Sequence, residues 1–289
     1  LVCAVASDVR VLIAARLLQG LGGVSAAAMA AVGETVPEGR RTRAMALVGV
    51  PAGLGVFLGF LAGPILADLL GFRSLFWLTA ALGLLAGLPL VRPFPATLPG
   101  LAQPRRSIGL PVLALAGAGF TANFAMMAVM YDFQSSVLPR LGNALLAACL
   151  LMALAAMGVA SRAADRSRAT ALPILAALAV LALAAPVFRL SAGTATLLAA
   201  GTAFFAAHAT LSAVLPSQVS RLAGRSGGLG HGLQLVVAYL GSAAGATVAG
   251  AFAHRLGEAF AVLGAVAACA ILLVLLGLRR AAPIPEAAA

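Results

Sequence analysis

Residues 109–131 read GLPVLALAGAGFTANFAMMAVMY, twenty-three residues without a single charge. A helix rises about 1.5 Å per residue, and about 20 apolar residues cross the ~30 Å hydrocarbon core of a bilayer. Eight more runs of this character stand at roughly 11–33, 42–67, 72–91, 142–160, 171–188, 191–214, 228–252 and 257–278. Residues 1–6 read as the tail of an earlier helix, and the closing APIPEAAA as a frayed end. The whole chain is 62% apolar and 9% charged, where a soluble domain carries about 25% charge. No soluble core hides that much apolar surface. The expected fold class is therefore an all-α integral membrane protein with about nine transmembrane helices present.

The net charge of +11 does not point to nucleic acid, because the basic residues fall in short clusters between apolar runs and not along one face. All nineteen basic residues are arginine. Without lysine there is neither a Schiff-base retinal site nor a Walker A loop. Active transport by this chain would draw on an ion gradient or on a separate ATPase. Cys3, Cys149 and Cys269 are far apart in apolar stretches and read as small buried or lipid-facing residues. The chain opens at Leu1 without a basic n-region or a cleavage site, like the interior of a longer protein.

The longest connection is RPFPATLPGLAQPRRS, residues 92–107, whose four prolines stop a helix. It reads as a linker, 92–108, between a first bundle at 1–91 and a second at 109–289. The other loops sort by side. Arg40, Arg41, Arg43, Arg92, Arg105, Arg106, Arg162, Arg166, Arg168, Arg221, Arg225, Arg279 and Arg280 fall on one side; Arg10, Arg73, Arg140, Arg189 and Arg255 fall on the other. Arginine excess marks the cytoplasmic face, so the C-terminus is expected inside.

Several segments resemble the major facilitator superfamily, in particular its drug:proton antiporter branch of twelve-helix exporters and the YajR-type transporters. The resemblance implies that the runs are helices 4–12 of twelve, with the first three absent from this sequence. The block DVRVLIAARLLQGLGG at 8–23 is similar to the family's helix 4 motif. An arginine inside a span is costly and normally faces the bundle interior or water; the resemblance ties Arg16 to proton coupling. Its alternative is an arginine snorkelling to the outer interface. Gly20 follows in the same motif.

The block GVFLGFLAGPILAD at 55–68 resembles the helix 5 motif of antiporters, with Ala67 and Asp68 where the family often has two glycines. Gly55, Gly59 and Gly63 are four apart, which lets helices touch, and Pro64 permits a kink. Gating is the implied role, and ordinary helix packing uses the same residues. SRAADRSR at 161–168 resembles the loop between helices 8 and 9, with Ser161 in place of glycine. Asp165 and Arg166 would form a cytoplasmic charge latch there, or a solvated loop in which exposed pairs contribute only about 0–1 kcal/mol. LPSQVSR at 215–221, the glycines and His231 of 227–232, and GFRSLFW at 71–77 mark the family more than any chemistry.

In that fold the cavity lies between the bundles near the bilayer midplane. Asn123, Phe124, Tyr131, Gln234 and Tyr239 are the candidate pathway residues; Asn123 and Tyr131 differ by eight and share roughly one helix face. His208 is read as the only histidine within a span. Histidine ordinarily titrates near 6.5, so His208 could carry a proton, or be a neutral residue bonded between helices. An enzyme is not expected: there is no Gly-x-Ser-x-Gly elbow, no aspartate pair, and the three histidines are spread 23 apart. No cofactor or metal is implied. The expectation is a monomeric secondary transporter in a bacterial inner membrane, exporting small, largely hydrophobic molecules against protons. A nutrient facilitator of the same fold, or a truncated remnant, is the alternative.

Overall fold

The computed structural model describes residues 1–20, 24–88, 108–132, 148–149, 151–160, 162–163, 171–190, 193–223, 227–252 and 256–279. Among these the regular structure is helical, without strands. The helices are α1 (Val2–Val5), α2 (Val9–Gly20), α3 (Val24–Thr35), α4 (Glu38–Leu70), α5 (Phe72–Gly87) and α6 (Leu110–Asp132). They continue as α7 (Leu151–Ala160), α8 (Ala171–Leu190), α9 (Thr194–Ala223), α10 (Gly227–Ala251) and α11 (Leu256–Arg279). The spans Leu110–Met130, Thr194–Ala223 and Gly228–Ala251 are long and apolar enough to cross a membrane by themselves; Phe72–Gly87, Leu151–Ala160, Ala171–Val187 and Ala261–Gly277 are shorter apolar helices.

α2 and α3 both fall largely within the run at 11–33, with residues 21–23 outside the described ones. One of the expected runs takes a different form. The run expected to end near residue 214 continues as α9 to Ala223, straight through Pro216. Proline removes one backbone bond, yet helices packed among neighbours absorb that loss. Here Ser217 Oγ donates to the Val214 carbonyl at 2.8 Å. The whole stretch from Ala213 to Ser220, about two turns, is buried, so packing holds the helix together.

The chain forms two compact units. One comprises Leu1–Ser25 and Pro51–Leu101, the other Ala26–Val50 and Ala102–Ala289. In the first, α1 packs on α2 and α5. α5 has no buried residue, and its Phe72, Leu82, Leu84 and Leu85 are all exposed. In the second unit α6 is the hub, touching α8, α9, α10 and α11. Two thirds of its span is buried (67%), against 28% for α10, which makes α6 the interior helix and α10 a flanking one.

Helices in lipid gain little from the hydrophobic effect and associate through close packing of small residues. α10 meets α6 at Gly241 and Gly245: a Cβ at either would run into the carbonyl of Phe120 or Phe124. Gly277 on α11 likewise leaves room for Ala114, whose Cβ lies 2.7 Å from where a side chain would begin. Elsewhere the helices carry their leucines outward, with Leu69, Leu183 and Leu172 at least 70% exposed. In lipid such a surface is at no disadvantage.

Candidate functional site

Arg16 lies on α2 of the first unit. Its Nη1 donates to Gln19 Oε1 at 2.9 Å, one turn on, where i and i+3 side chains meet. Its guanidinium stands 5.0 Å from the ring centroid of Phe76 on α5, within cation–π range. Both residues line an open cavity of about 500 Å³ within this unit, together with Gln19, Phe72, Leu75 and Thr79. The wall is mostly apolar, with one cation and one amide projecting from it. In the sequence Gln19 and Phe76 stand only as letters of their motifs. The spacing of Gln19 from Arg16 signals their contact, whereas Phe76 reaches Arg16 only through the packing of two helices.

The glycines of the helix 5 block sit in α4. In the structure nothing lies within 4 Å of a Cβ placed at Gly55, Gly59 or Gly63, and Gly55 and Gly59 are exposed. α4 runs on through Pro64 to Leu70. Gly20 closes α2.

In the second unit, Asn123 is half-buried on α6 and its Nδ2 donates to the Gly119 carbonyl at 3.0 Å. Phe124 is buried and stacks on Phe120 at 6.1 Å, interplanar angle 13°. Gln234 on α10 is buried, and its Cγ lies 3.9 Å from a Cβ built at Gly119. Asn123 and Gln234 thus approach the same point of α6. Tyr239 is 63% exposed and faces away from that contact. The side chain of Tyr131, and Asp165 and Arg166, lie outside the described residues.

His208 is half-buried on α9, and its Nε2 has no hydrogen-bond partner among the described residues. It is not the only histidine in a span. His231 lies within Gly228–Ala251 and is 1% exposed, with Nε2 2.8 Å from Ser220 Oγ on α9. The apolar run starts at residue 228, so His231 falls inside it by sequence as well. The described residues hold no cluster of His, Cys, Asp or Glu suited to a metal.

Long apolar helices packed through glycines, an arginine facing a cavity and outward leucines define an all-α integral membrane protein. Residues 1–139 match the sequence profile of the Major Facilitator Superfamily. The chain is 37% identical over 81 residues to the inner membrane transport protein YajR of Escherichia coli K12, covering 28% of this chain and 18% of that protein. It is 33% identical over 73 residues to an uncharacterized transporter of Buchnera aphidicola subsp. Acyrthosiphon pisum, covering 25% of this chain and 19% of that one. A Buchnera aphidicola subsp. Schizaphis graminum transporter gives 30% over 69 residues, with 24% and 18% covered. The matched stretch thus spans under a fifth of the length of each relative. The all-α membrane fold and the superfamily match agree.

Proposed function

We propose that this chain is a secondary active membrane transporter that couples export of small, largely hydrophobic molecules to proton movement. The observation that carries the reading is Arg16: a cation on an apolar helix, held by Gln19 and Phe76 at an otherwise greasy cavity, within the segment that matches the superfamily. A greasy wall suits apolar substrates, and a fixed cation biases where a proton can reside. Asn123 and Gln234 are the substrate contacts of this reading, Gly59, Gly63 and Pro64 its gating elements, and Asp165 with Arg166 its loop latch. The arginine-rich side, with the C-terminus, is assigned to the cytoplasm, and the working unit to a monomer.

The test is drug-driven proton movement in proteoliposomes holding a pH-sensitive dye. Drug addition is expected to change the internal pH only where protein is present. A panel of hydrophobic drugs that moves no protons would remove the antiporter reading and leave a nutrient carrier on the same fold.

His208 supports a second prediction. A buried polar atom without a partner costs about 1–3 kcal/mol, and Nε2 of His208 is such an atom. His208→Leu is therefore expected to raise the unfolding midpoint in detergent while lowering drug-driven proton movement. A lower midpoint with undiminished transport would make His208 an ordinary packing residue.

A further inference from the structure

The polar side chains in the wall of the Arg16 cavity are those of Arg16, Gln19, Thr79 and Cys3; the rest of the wall is apolar, with Phe72 and Phe76 as its rings. Arginine carries N–H donors and no acceptor. One donor, on Nη1, goes to Gln19 Oε1, and the others have no hydrogen-bond partner among the described residues. That bond also orients the amide. Only its oxygen can accept from a guanidinium, so Gln19 has its NH2 group left to offer. Thr79 gives its hydroxyl proton to the carbonyls of Leu75 and Phe76, both at 3.0 Å. The polar part of the wall is therefore rich in donors and poor in acceptors.

The charge is equally one-sided. No carboxylate stands among the described residues that line the cavity. Arg16 is exposed, so its donors are within reach of a ligand, and the Phe76 ring at 5.0 Å restrains the guanidinium on one side. A planar guanidinium fork matches a carboxylate or sulfonate through two parallel bonds. Beside an apolar wall it attracts an anion, and repels a cation, more strongly than it would in water. The volume of about 500 Å³ lies within the range of small-molecule sites, roughly 300–1,000 Å³.

We propose that the Arg16 cavity binds amphipathic organic anions, a carboxylate or sulfonate on an aromatic or aliphatic body, and that these are the hydrophobic molecules the protein carries. This rests on the transport reading above and names its substrate class. The anionic head takes the open edge of Arg16 and the amide of Gln19, while the body lies against Phe72 and Phe76. The same wall selects against lipophilic cations. A cation meets the like charge of Arg16 and finds no carboxylate to pair with.

The test uses the protein expressed from its own gene, in nanodiscs of phosphatidylcholine, with two labelled probes of similar shape: phenylmethanesulfonate and benzyltrimethylammonium. Equilibrium dialysis against empty discs gives the bound fraction. The sulfonate is expected to bind at least about tenfold tighter than the ammonium; equal affinities, or a preference for the cation, overturn the site. Arg16→Gln is expected to remove the preference. Gln19→Glu is the sharper variant, because a carboxylate one turn from Arg16 fills the fork from within and adds support to α2. It is expected to weaken sulfonate binding at least about tenfold. Sulfonate binding unchanged in either variant overturns the site. Phosphatidylglycerol presents an anionic head from the lipid side. If adding it to the discs displaces the sulfonate at high salt, which screens the disc surface, the occupant is a lipid and the substrate class falls. Carriage is read separately, as uptake of labelled sulfonate into proteoliposomes, and binding without uptake overturns the substrate class. Proton movement driven by a neutral hydrophobic drug judges the transport reading by itself.

Discussion

Gly245→Val is expected to abolish a stable helix bundle, with a loss of about 3 kcal/mol or more, at the upper end of overpacking penalties. Gly241 and Gly245 lie one turn apart on α10, where a Cβ would stand 2.9 Å from the Phe120 carbonyl carbon or 3.0 Å from that of Phe124. These are main-chain atoms of a helix, so no side-chain rotation relieves the clash; α6 and α10 must separate. Because α6 also touches α8, α9 and α11, the displacement spreads through the unit. Separation is not resisted by water, since lipid solvates the exposed faces, so close packing is what keeps the pair together. Gly250→Val on the same helix is the control, with nothing within 4 Å of its Cβ. Gly250→Ala is expected to be neutral or stabilising, because alanine is favoured over glycine in a helix by about 1 kcal/mol. The check is the temperature at which the monodisperse detergent peak is lost. Equal midpoints for Gly245→Val and Gly250→Val would mean that α6 and α10 do not touch at Gly245.

The apolar runs told the fold class because lipid exposure demands long uncharged helices, and α6, α8, α10 and α11 stand near where hydropathy put them. Where backbone chemistry and packing compete, letters alone do not say which wins: at Pro216 packing prevails and α9 goes on. The candidate site divides in the same way. Gln234, Ala238, Gly241, Gly245 and Ala249 are all buried, a spacing of three and four that defines one helix face. Tyr239 is one step, about 100°, off that face, and its exposure follows from phase. Its ring alone suggests a pathway residue, but its phase, which the sequence carries, puts it off the buried face. Ser220 with His231, and Gly33 with Ser220, are contacts between helices distant in the chain. Nothing in local spacing announces them.

Arg16→Ala is expected to lower drug-driven proton movement at least about tenfold, a loss of about 1.4 kcal/mol or more. Arg16 is exposed on α2 and its contacts are few, the hydrogen bond to the neutral Gln19 and the face of Phe76 at 5.0 Å, so Arg16→Ala should fold about as well as the parent and lose function without losing stability. Arg16→Lys separates charge from shape. Lysine keeps the cation but neither the planar fork nor the stacking on the ring, so partial coupling is expected. Phe76→Leu keeps the cation but frees it to reach for the interface, and is expected to weaken coupling less than Arg16→Ala. The measurement is initial proton flux at saturating drug, with thermal midpoints taken beside it. Normal flux in Arg16→Ala would leave Arg16 as a snorkelling surface residue, and a collapse of both flux and midpoint would assign it to structure.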